Sequence, residues 1–424
     1  MHVLIIPSWY PETPDDIDGI FFRQQAQALH RHGLKTGVIA PIFRSLRKPR
    51  TLLSNRYGIS HYIEEGVPTF AYRSMYFFPR IPYIDRNRWV RAGKKLFDRY
   101  VLQYGKPDVI HVHSMNHAGI LAHQIHIDTG IPYVITEHSS TYARKLIPDW
   151  QWPDMQRAAE HAAARIAVSR NFCTLLEEAY QGLPWQYIPN ILPLKFTAPA
   201  GTNRPAPTTP FTFCSVAHLS RNKGYDLLIP AFAQALKKYP DLKLNIGGTG
   251  PEEAALHRLS DELGLGHAVT FSGALSHEQV LAQMQSSHAF VLASRVETFG
   301  VVFIEALSQG LPVVATRCGG PESIVTPANG LLVPTDDIAA LAAAPILACE
   351  PTAMKNSGAR ISRATSSIRP ACTEIQISPS SSRKGLSASA FRSICMPMGA
   401  ISTYRNTVPI REAPAPSSWR ARVR

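Results

Sequence analysis

The sequence predicts an α/β protein with two doubly wound parallel sheets, one in each half of the chain. Short runs rich in valine and isoleucine recur along it, and stretches with helical periodicity lie between them. The alternation restarts after residues 195–210, a segment with the proline, threonine and alanine content of an interdomain linker. Continuous apolar strands separated by helices indicate parallel sheets that are covered on both faces.

Length and composition are consistent with this organisation. A chain of 424 residues is expected to form two domains of about 150–200 residues each. The N-terminal apolar run stops at Pro7, too early for a signal peptide, and no run approaches the roughly 18 apolar residues of a membrane span. Six scattered cysteines without a CxxC pair argue against a disulfide framework or a zinc knuckle. We therefore expect a cytoplasmic protein.

The net charge of +13 is concentrated in two segments. Residues 346–424 hold 12 Lys and Arg against 3 acidic residues, and residues 41–105 hold 13 against 4. A basic surface favours an anionic partner, although it can also be a solvated face. Aromatic residues interleaved through 43–100 favour an anionic membrane surface, and so a peripheral position at the inner face of the cell membrane. We expect no nucleic-acid partner.

The elements follow in order along each half. The predicted strands of the first half are HVLII, TGVIAP, PDVIHVHS, GIPYVITEH and ARIAVS, and Gly33 ends the helix-period segment GIFFRQQAQALHRHG. The predicted strands of the second half are FTFCSVAHLS, LKLNIGGTG, AVTFSG, HAFVLAS, LPVVAT and GLLVPT. Ligands of such sheets bind beyond the carboxyl ends of the strands, so two facing sheets create a cleft.

The pattern breaks after about residue 344. DDIAALAAA begins a helix that Pro345 interrupts, and residues 351–424 contain 14 serines without apolar periodicity. Such a composition cannot bury enough surface to offset chain entropy, so this basic tail is predicted to be disordered. Its abrupt start suggests a reading-frame change, and a nucleic-acid-binding tail is the competing interpretation. The predicted domains are 1–194 and 211–344, with the linker 195–210 and the tail 345–424.

The segment ASRVETFGVVFIEALSQGLPVVAT carries two glutamates around a strand-to-helix turn. Gly300 is predicted to open a helix, and the unpaired amides of its first turn favour an anion such as phosphate. Glu305, in the second turn, is placed to accept hydrogen bonds from the vicinal hydroxyls of a ribose. Glu297 is placed to contact the group beyond the phosphates. The structural alternative is that Glu297 offsets the helix dipole and Glu305 is exposed.

Two neighbouring loops add candidate groups. Arg221 and Lys223 follow the first strand of the second half, where they would adjoin the glutamate loop and meet a diphosphate. LKLNIGGTGPE ends a strand in three glycines, among them Gly248 and Gly250, which allow backbone to approach a ligand closely. VTFSGALS ends another strand, at a position suited to holding a base. A solvated turn is the alternative for the cations.

Residues 211–334 resemble the nucleotide-sugar-binding domain of the retaining glycosyltransferases of family 4, which have the GT-B architecture of two facing Rossmann-like domains. The matching pieces are SRNKGYDLLIPAFA, LNIGGTGPE, VTFSGALSHEQV, ETFGVVFIEALSQGLPVVAT and CGGPESIV. The resemblance implies that Lys223 binds the donor diphosphate, Glu305 the ribose and Glu297 the transferred sugar.

The resemblance also implies that amides around Phe299 and Gly300 hold phosphate and sugar oxygens. One departure concerns the Gly-Arg pair that the family usually has before the cationic loop, where this chain has Ala217 and His218. Either Arg221 replaces the missing cation or diphosphate affinity is weakened. His218 is kept among the donor-binding candidates.

The first half is similar to the family more loosely. IPSWYPETPDDIDGIFFRQQAQAL resembles its first loop and helix, where Gly19 would lie close to the donor phosphates or the acceptor. VITEHSS places His138 where the family often has a histidine near the reacting sugar. HVHSMNH has two histidines on one strand face, but no acidic ligands cluster there and we expect no metal. The resemblance ends near residue 344, without the family's final helix that crosses back onto the N-terminal domain.

The expected activity is sugar transfer from a nucleoside-diphosphate donor to a hydroxyl of a glycan or lipid-linked acceptor, with retention and without a metal or other cofactor. The catalytic candidates are His138 and Glu297. We expect a role in polysaccharide or lipopolysaccharide biosynthesis. Two alternatives remain open: a nucleotide-sugar epimerase of the same architecture, and a non-catalytic sugar-nucleotide-binding relic. A phosphorylase would need a lysine site for pyridoxal phosphate, which the sequence does not show.

Overall fold

An eight-stranded sheet forms the first half of the protein. The computed structural model describes residues 1–12, 16, 19–45, 57–197 and 210–349, with only the backbone of 345–349. The elements of this half are β1 (His2–Pro7), α1 (Ile20–Arg31), β2 (Lys35–Arg44), β3 (Gly58–Glu64), β4 (Val67–Met75), α2 (Pro82–Tyr104), β5 (Val109–His113), α3 (Asn116–Thr129), β6 (Tyr133–Glu137), α4 (Trp152–His161), β7 (Ala164–Ala167), α5 (Arg170–Ala179) and β8 (Gln186–Tyr187).

A six-stranded parallel sheet forms the second half, in the order β11-β10-β9-β12-β13-β14. Its elements are β9 (Thr212–Val216), α6 (Tyr225–Leu236), β10 (Lys243–Gly247), α7 (Glu253–Glu262), β11 (Val269–Phe271), α8 (His277–Gln285), β12 (Ala289–Leu292), α9 (Val301–Ser308), β13 (Val313–Thr316), β14 (Gly330–Val333) and α10 (Ile338–Cys349). The two doubly wound α/β units confirm the predicted fold class.

The strands owe their formation to continuous apolar runs. Every residue of β1, β5, β6, β12 and β13 is buried, as expected where helices cover both faces of a sheet. All the strands predicted from these runs are present. The first sheet has the order β3-β4-β2-β1-β5-β6-β7-β8, so β1 lies near its centre.

A hairpin of β3 and β4 was not predicted. β3 pairs antiparallel with β4 at the sheet edge, while β4 pairs parallel with β2. Glu65 and Gly66 make its turn with positive φ, at 47° and 80°. Side chains of β3 alternate between partly buried and exposed, as in an edge strand with one solvated face. The hairpin lies within the basic segment 41–105. The described part of this segment is largely regular structure, in β2, β3, β4 and α2.

The last described helix corrects one prediction. α10 continues through Pro345 to Cys349 and is not interrupted there. Proline has a backbone φ close to the helical value, so a helix that packs well tolerates it at the loss of one backbone hydrogen bond. Leu341 and Ala344 are buried, and α10 packs against α6, which itself contains Pro230. The predicted tail beyond this helix, and most of the predicted linker, lie outside the described residues.

Among the described residues, several hydrogen bonds join the two halves and the segment that links them. Thr298 Oγ1 donates to the His138 carbonyl at 2.8 Å, and Gln309 Nε2 donates to the Phe196 carbonyl at 2.9 Å. The amide of Arg170 donates to Ser323 Oγ at 3.1 Å. The Thr298 hydrogen bond places the loop after β6 directly against the loop after β12. Among the described helices, none combines the length and apolarity needed to cross a bilayer.

Candidate active site

The loop after β12 and the first turn of α9 form the centre of the site. Gly300 caps α9 with φ of 88°, and a Cβ there would lie 2.4 Å from the Phe303 ring. Only glycine therefore fits this turn. Within the described ranges, no hydrogen bond uses the amides of Phe299, Gly300 or Val301. These N–H groups at the positive end of the helix can receive an anion.

Lys223 and Glu297 meet beside this turn. Lys223 follows β9, in the 3-10 turn Arg221–Lys223, and its Nζ lies 2.5 Å from Glu297 Oε1. Ser294 Oγ donates to the same carboxylate oxygen at 2.8 Å. The Glu297 side chain is mostly buried, so the ion pair is partly shielded from solvent. The loop carrying the predicted cations does adjoin the glutamate loop.

Arg295, which was not predicted as a site residue, connects these two loops. Its Nη1 and Nη2 donate to the two carboxylate oxygens of Asp226 at 2.8 and 2.9 Å, and Nη1 also donates to the Arg221 carbonyl at 2.6 Å. Its Nε donates to Asp336, which follows β14. The backbone amide of Arg295 donates to the Asn222 carbonyl. A bidentate pair of this kind is the strongest form of carboxylate contact and limits loop movement.

Glu305 is the most unusual charged group of the site. It is 9% exposed, and burial raises the pKa of its carboxyl to about 7. In the part of the chain that the structure describes, no side-chain hydrogen bond or ion pair reaches this carboxyl group. The interpretation of Glu305 as an exposed helix residue is therefore wrong. A buried carboxyl without a partner is a candidate for ligand binding.

The two predicted glycines after β10 have a structural requirement of their own. A Cβ at Gly248 would lie 1.9 Å from the Ala217 carbonyl oxygen, and one at Gly250 would lie 2.2 Å from that of Leu219. Here backbone approaches backbone, which packs the loop after β10 against the loop after β9. His218, in that second loop, has an exposed side chain.

Arg221 is exposed as well, and within the described ranges its side chain makes no ion pair. Its backbone carbonyl is occupied by Arg295. The Arg221 side chain is therefore exposed to solvent, in the same 3-10 turn as Lys223.

The first half contributes His138 and Gly19. His138 directly follows β6, and its ring contacts those of Phe21 and Phe22 on α1, with centroids 5.2 Å apart in both cases. Gly19 caps α1 with φ of 78°, and a Cβ there would lie 3.0 Å from the Trp9 ring. The Thr298 hydrogen bond brings the His138 backbone to the glutamate loop.

A buried carboxylate organises the His138 loop. Glu137 is fully buried and accepts hydrogen bonds from the amides of Met115, His138 and Ser139 at 2.7–2.8 Å. Burial raises the pKa of Glu137, while these amide hydrogen bonds oppose the shift. Burial and the nearby His111 lower the pKa of His138 to about 3, although Asn190 opposes this. His138 is therefore neutral at physiological pH.

The two histidines of β5 lie close to His138. His111 and His113 are both fully buried, and His113 Nδ1 lies 3.1 Å from His138 Nε2. Among the described residues, no group of three or more His, Cys, Asp or Glu side chains is arranged to hold a metal ion. The three imidazoles form a row that ends at the loop contacting the second half.

Together these elements can hold an anion and an adjoining hydroxylated group. The amides of the first turn of α9 and the Lys223 ammonium provide positive charge, and Glu305 provides an acceptor in the next turn of the same helix. Glu297 and His138 lie on facing sides of the contact between the two halves. The predicted roles of these residues remain predictions.

Two family models match the chain. Residues 202–358 match the model of glycosyl transferases group 1, and residues 19–196 match that of Glycosyltransferase Family 4. The putative teichuronic acid biosynthesis glycosyltransferase TuaC of Bacillus subtilis is 29% identical over 81% of this chain and 88% of its own length. The solved sucrose-phosphate synthase of Thermosynechococcus elongatus superposes with a TM-score of 0.70, at 21% identity, over 87% of this chain and 94% of that one.

A mannosyltransferase of Corynebacterium glutamicum is similar over a shorter stretch. It is the GDP-mannose-dependent monoacylated alpha-(1-6)-phosphatidylinositol monomannoside mannosyltransferase, 35% identical over 138 residues. The match covers 31% of this chain and about a third, 35%, of that relative's length.

Proposed function

Since the chain belongs to the group 1 glycosyltransferases of family 4, with the GT-B architecture, we propose that it transfers a sugar from a nucleoside-diphosphate donor to a hydroxyl of a glycan or lipid-linked acceptor, with retention. The observation that carries the proposal is the Lys223–Glu297 pair beside the open amides of α9. The buried carboxyl of Glu305 lies in the next turn of that helix.

The donor diphosphate occupies the first turn of α9 in this proposal. When its bond to the sugar breaks, negative charge develops on the leaving diphosphate. Lys223, Arg221 and the helix amides stabilise that charge in a fixed, partly dry setting, which is the main way such sites lower a barrier. Glu305 accepts hydrogen bonds from the two ribose hydroxyls. No metal ion is required by this arrangement.

The sugar lies between the two halves. Glu297 contacts it from the second half and His138 from the first, and the acceptor hydroxyl approaches from the first half. The hydrogen bond from Thr298 to the His138 carbonyl supports this placement, because it brings the two candidate residues to one point. Closure of the cleft around the donor excludes water and limits its hydrolysis.

Nucleotide titration followed by a transfer assay tests the proposal. We expect UDP, GDP or ADP to bind in calorimetry, and the matching nucleotide sugar to be consumed when an acceptor is supplied. The name of the mannosyltransferase relative makes GDP-mannose one donor to include. Absence of binding by all three diphosphates would contradict the proposal. Binding without turnover would favour the relic, and acceptor-independent conversion of the sugar would favour an epimerase.

A surface of the first half, the half that is proposed to receive the acceptor, suits a membrane. We define the aromatic loop as residues 77–83, which lead from β4 into the first residues of α2 and in which Phe77, Phe78, Ile81 and Tyr83 are exposed. Asp85 accepts hydrogen bonds from the amides of Phe77 and Phe78 at 3.2 and 2.7 Å, which holds the loop in shape.

Basic side chains occur in this loop and just after it in the sequence. The Arg88 guanidinium lies 4.6 Å from the Phe77 ring centroid, and Arg80 and Arg91 are exposed nearby in sequence. Exposed aromatic rings with cations beside them fit the headgroup region of an anionic bilayer. We therefore propose that the aromatic loop docks on anionic lipid, which would bring a lipid-linked acceptor to the cleft.

Replacing both Phe77 and Tyr83 by serine is expected to weaken binding to phosphatidylglycerol vesicles by about tenfold or more, because two rings no longer enter the interface. Co-sedimentation measures the effect. Leu102→Ser is the matched control, since Leu102 is 90% exposed on α2, outside the loop. Equal sedimentation of wild type and double variant, or equal binding of neutral phosphatidylcholine vesicles by wild type, would count against the proposal.

A further inference from the structure

His113, the last residue of β5, touches the candidate catalytic histidine through a single hydrogen bond. Its Nδ1 lies 3.1 Å from His138 Nε2, and both rings are buried. Burial lowers the pKa of His113 well below its usual value, and His111 and His138 lower it further. Both imidazoles are therefore neutral, and in a neutral pair one nitrogen of this contact carries the shared proton and the other accepts it.

Which histidine donates in this contact depends on the surroundings of the two ring nitrogens that are outside it, His113 Nε2 and His138 Nδ1. Within the described residues, His113 Nε2 and His138 Nδ1 are buried and form no hydrogen bond, although the Asn190 side chain lies close enough to His138 to raise its pKa. If His138 donated from Nε2, the neutral His113 would carry its proton on Nε2 as a buried N–H without an acceptor. If His113 donates from Nδ1, its Nε2 is a bare acceptor and the N–H without an acceptor is that of His138 Nδ1. Either direction leaves one such N–H, but His138 lies at the strand end that contacts the loop after β12, where a sugar oxygen can accept it in the proposed complex. His113 Nε2, by contrast, belongs to a ring packed against those of His111 and Phe22.

We propose that His113 is a positioning residue for sugar transfer: its Nδ1–H donates to His138 Nε2 and thereby holds the proton of His138 on Nδ1. This rests on the proposed function, in which His138 contacts the transferred sugar. His138 then presents a preformed N–H donor to a sugar oxygen, and its ring cannot rotate without breaking the bond to His113. A buried donor without a protein partner gains most when a ligand oxygen satisfies it.

The surroundings keep this pair in one protonation state. From its own strand His113 faces His111, with ring centroids 4.2 Å apart, and His111 Nε2 is engaged with Thr136 Oγ1 on β6 at 2.8 Å. From α1 it faces the apolar ring of Phe22. The charged group of β6 nearby is Glu137, whose carboxylate is turned to three backbone amides. The His113–His138 pair therefore stays neutral across the pH range of an assay.

Two substitutions separate positioning from packing. In His113→Asn the side-chain amide occupies nearly the place of Nδ1 and can still donate to His138, whereas His113→Leu fills the space without a donor. We expect His113→Leu to lower kcat by about 10–100-fold with little change in donor KM, and His113→Asn to retain most of the activity. Thr136→Val is the control, because it disturbs His111 and leaves the His113–His138 contact in place.

The tautomer itself can be read without turnover. In protein labelled with ¹⁵N-histidine, NMR of the wild type is expected to show the His138 proton on Nδ1, with assignment from His138→Gln. In His113→Leu the proton should move to Nε2 or divide between the two nitrogens. A wild-type proton on Nε2 would overturn the proposal, as would equal kcat in the Leu and Asn variants. If no transfer is found with any donor, the NMR result still decides the tautomer, so failure of the proposed function is distinguishable.

Discussion

Replacing Lys223 by methionine is expected to weaken nucleoside-diphosphate binding by about 10–100-fold, the usual loss when a charged hydrogen-bond donor to an anion is removed. Methionine keeps the length and apolar stem of the side chain, so the effect reports the ammonium. In the free protein Lys223 is held by Glu297, at 2.5 Å. Its position is therefore set before the ligand arrives, and little entropy is lost on binding.

The loss in turnover should exceed the loss in binding. Charge on the diphosphate grows as the sugar departs, so an ammonium beside it stabilises the transition state more than the bound donor. We expect kcat/KM for the preferred nucleotide sugar to fall by about a thousandfold or more, with part of the fall in kcat.

Calorimetry with the diphosphate and initial-rate kinetics measure the two effects. Lys237→Met is the matched control, because Lys237 carries the same side chain on an exposed surface of the second half. Thermal unfolding completes the set, since removing Lys223 leaves the mostly buried Glu297 carboxylate with Ser294 as its remaining side-chain partner among the described residues. Diphosphate affinity and turnover equal to those of Lys237→Met, in a folded variant, would rule out Lys223 as the diphosphate ligand.

The fold could be predicted because its signal is local. Runs such as HVLII and HAFVLAS form fully buried strands, as is typical of short continuous apolar sequence between helices. Topology then allowed one long-range inference. Loops at the carboxyl ends of adjacent parallel strands share an edge of the sheet, and β9 does pair with β12. Lys223 and Glu297 could be expected to meet although 74 positions separate them.

Features that depend on packing between distant segments were not predicted. The β3–β4 hairpin combines an edge strand with a turn at Glu65 and Gly66, and its alternation is weak in a basic stretch. The continuation of α10 through Pro345 depends on packing against α6, which outweighs proline's local preference. Arg295 gave no signal, because its partners Asp226 and Asp336 are distant in sequence.

Burial of polar groups was the other gap. The burial of Glu305 could not be predicted from the sequence of α9 alone. Its 9% exposure follows from how α9 lies against the rest of the second half. Glu137 directly precedes His138 but is fully buried among backbone amides. A signal for Glu137 was present in the sequence, since a carboxylate at the end of an otherwise apolar strand needs donors there.

Glu305→Gln is expected to make the free protein more resistant to unfolding at alkaline pH while removing most of its nucleotide affinity. The folded-state pKa of Glu305, about 7, lies above its ordinary value of 4.5. Its contribution to stability is therefore fully present below 4.5 and is lost as the pH rises through about 7. Glutamine cannot ionise, so the wild type should lose stability relative to the variant between about pH 5 and pH 8, by on the order of 3 kcal/mol.

Nucleotide affinity should show the opposite preference for charge. If the carboxylate accepts both ribose hydroxyl hydrogens, binding requires the ionised form, and the affinity of the wild type falls as the pH drops below about 7. The diphosphate also titrates in this range. In Glu305→Gln the nucleotide affinity keeps the pH dependence that comes from the diphosphate but loses the part that comes from the carboxyl group. The difference between the pH curves of the two proteins therefore reports the carboxyl group. His138, with a pKa of about 3, does not titrate there.

Calorimetry and thermal unfolding from about pH 5 to pH 8 measure both trends. Parallel pH curves for the two proteins would show that Glu305 is not the ribose ligand. The buried Glu305 carboxylate lowers the stability of the free protein. In the proposed complex the hydrogen bonds from the ribose compensate for this loss, which is why a nucleotide site would retain such a group.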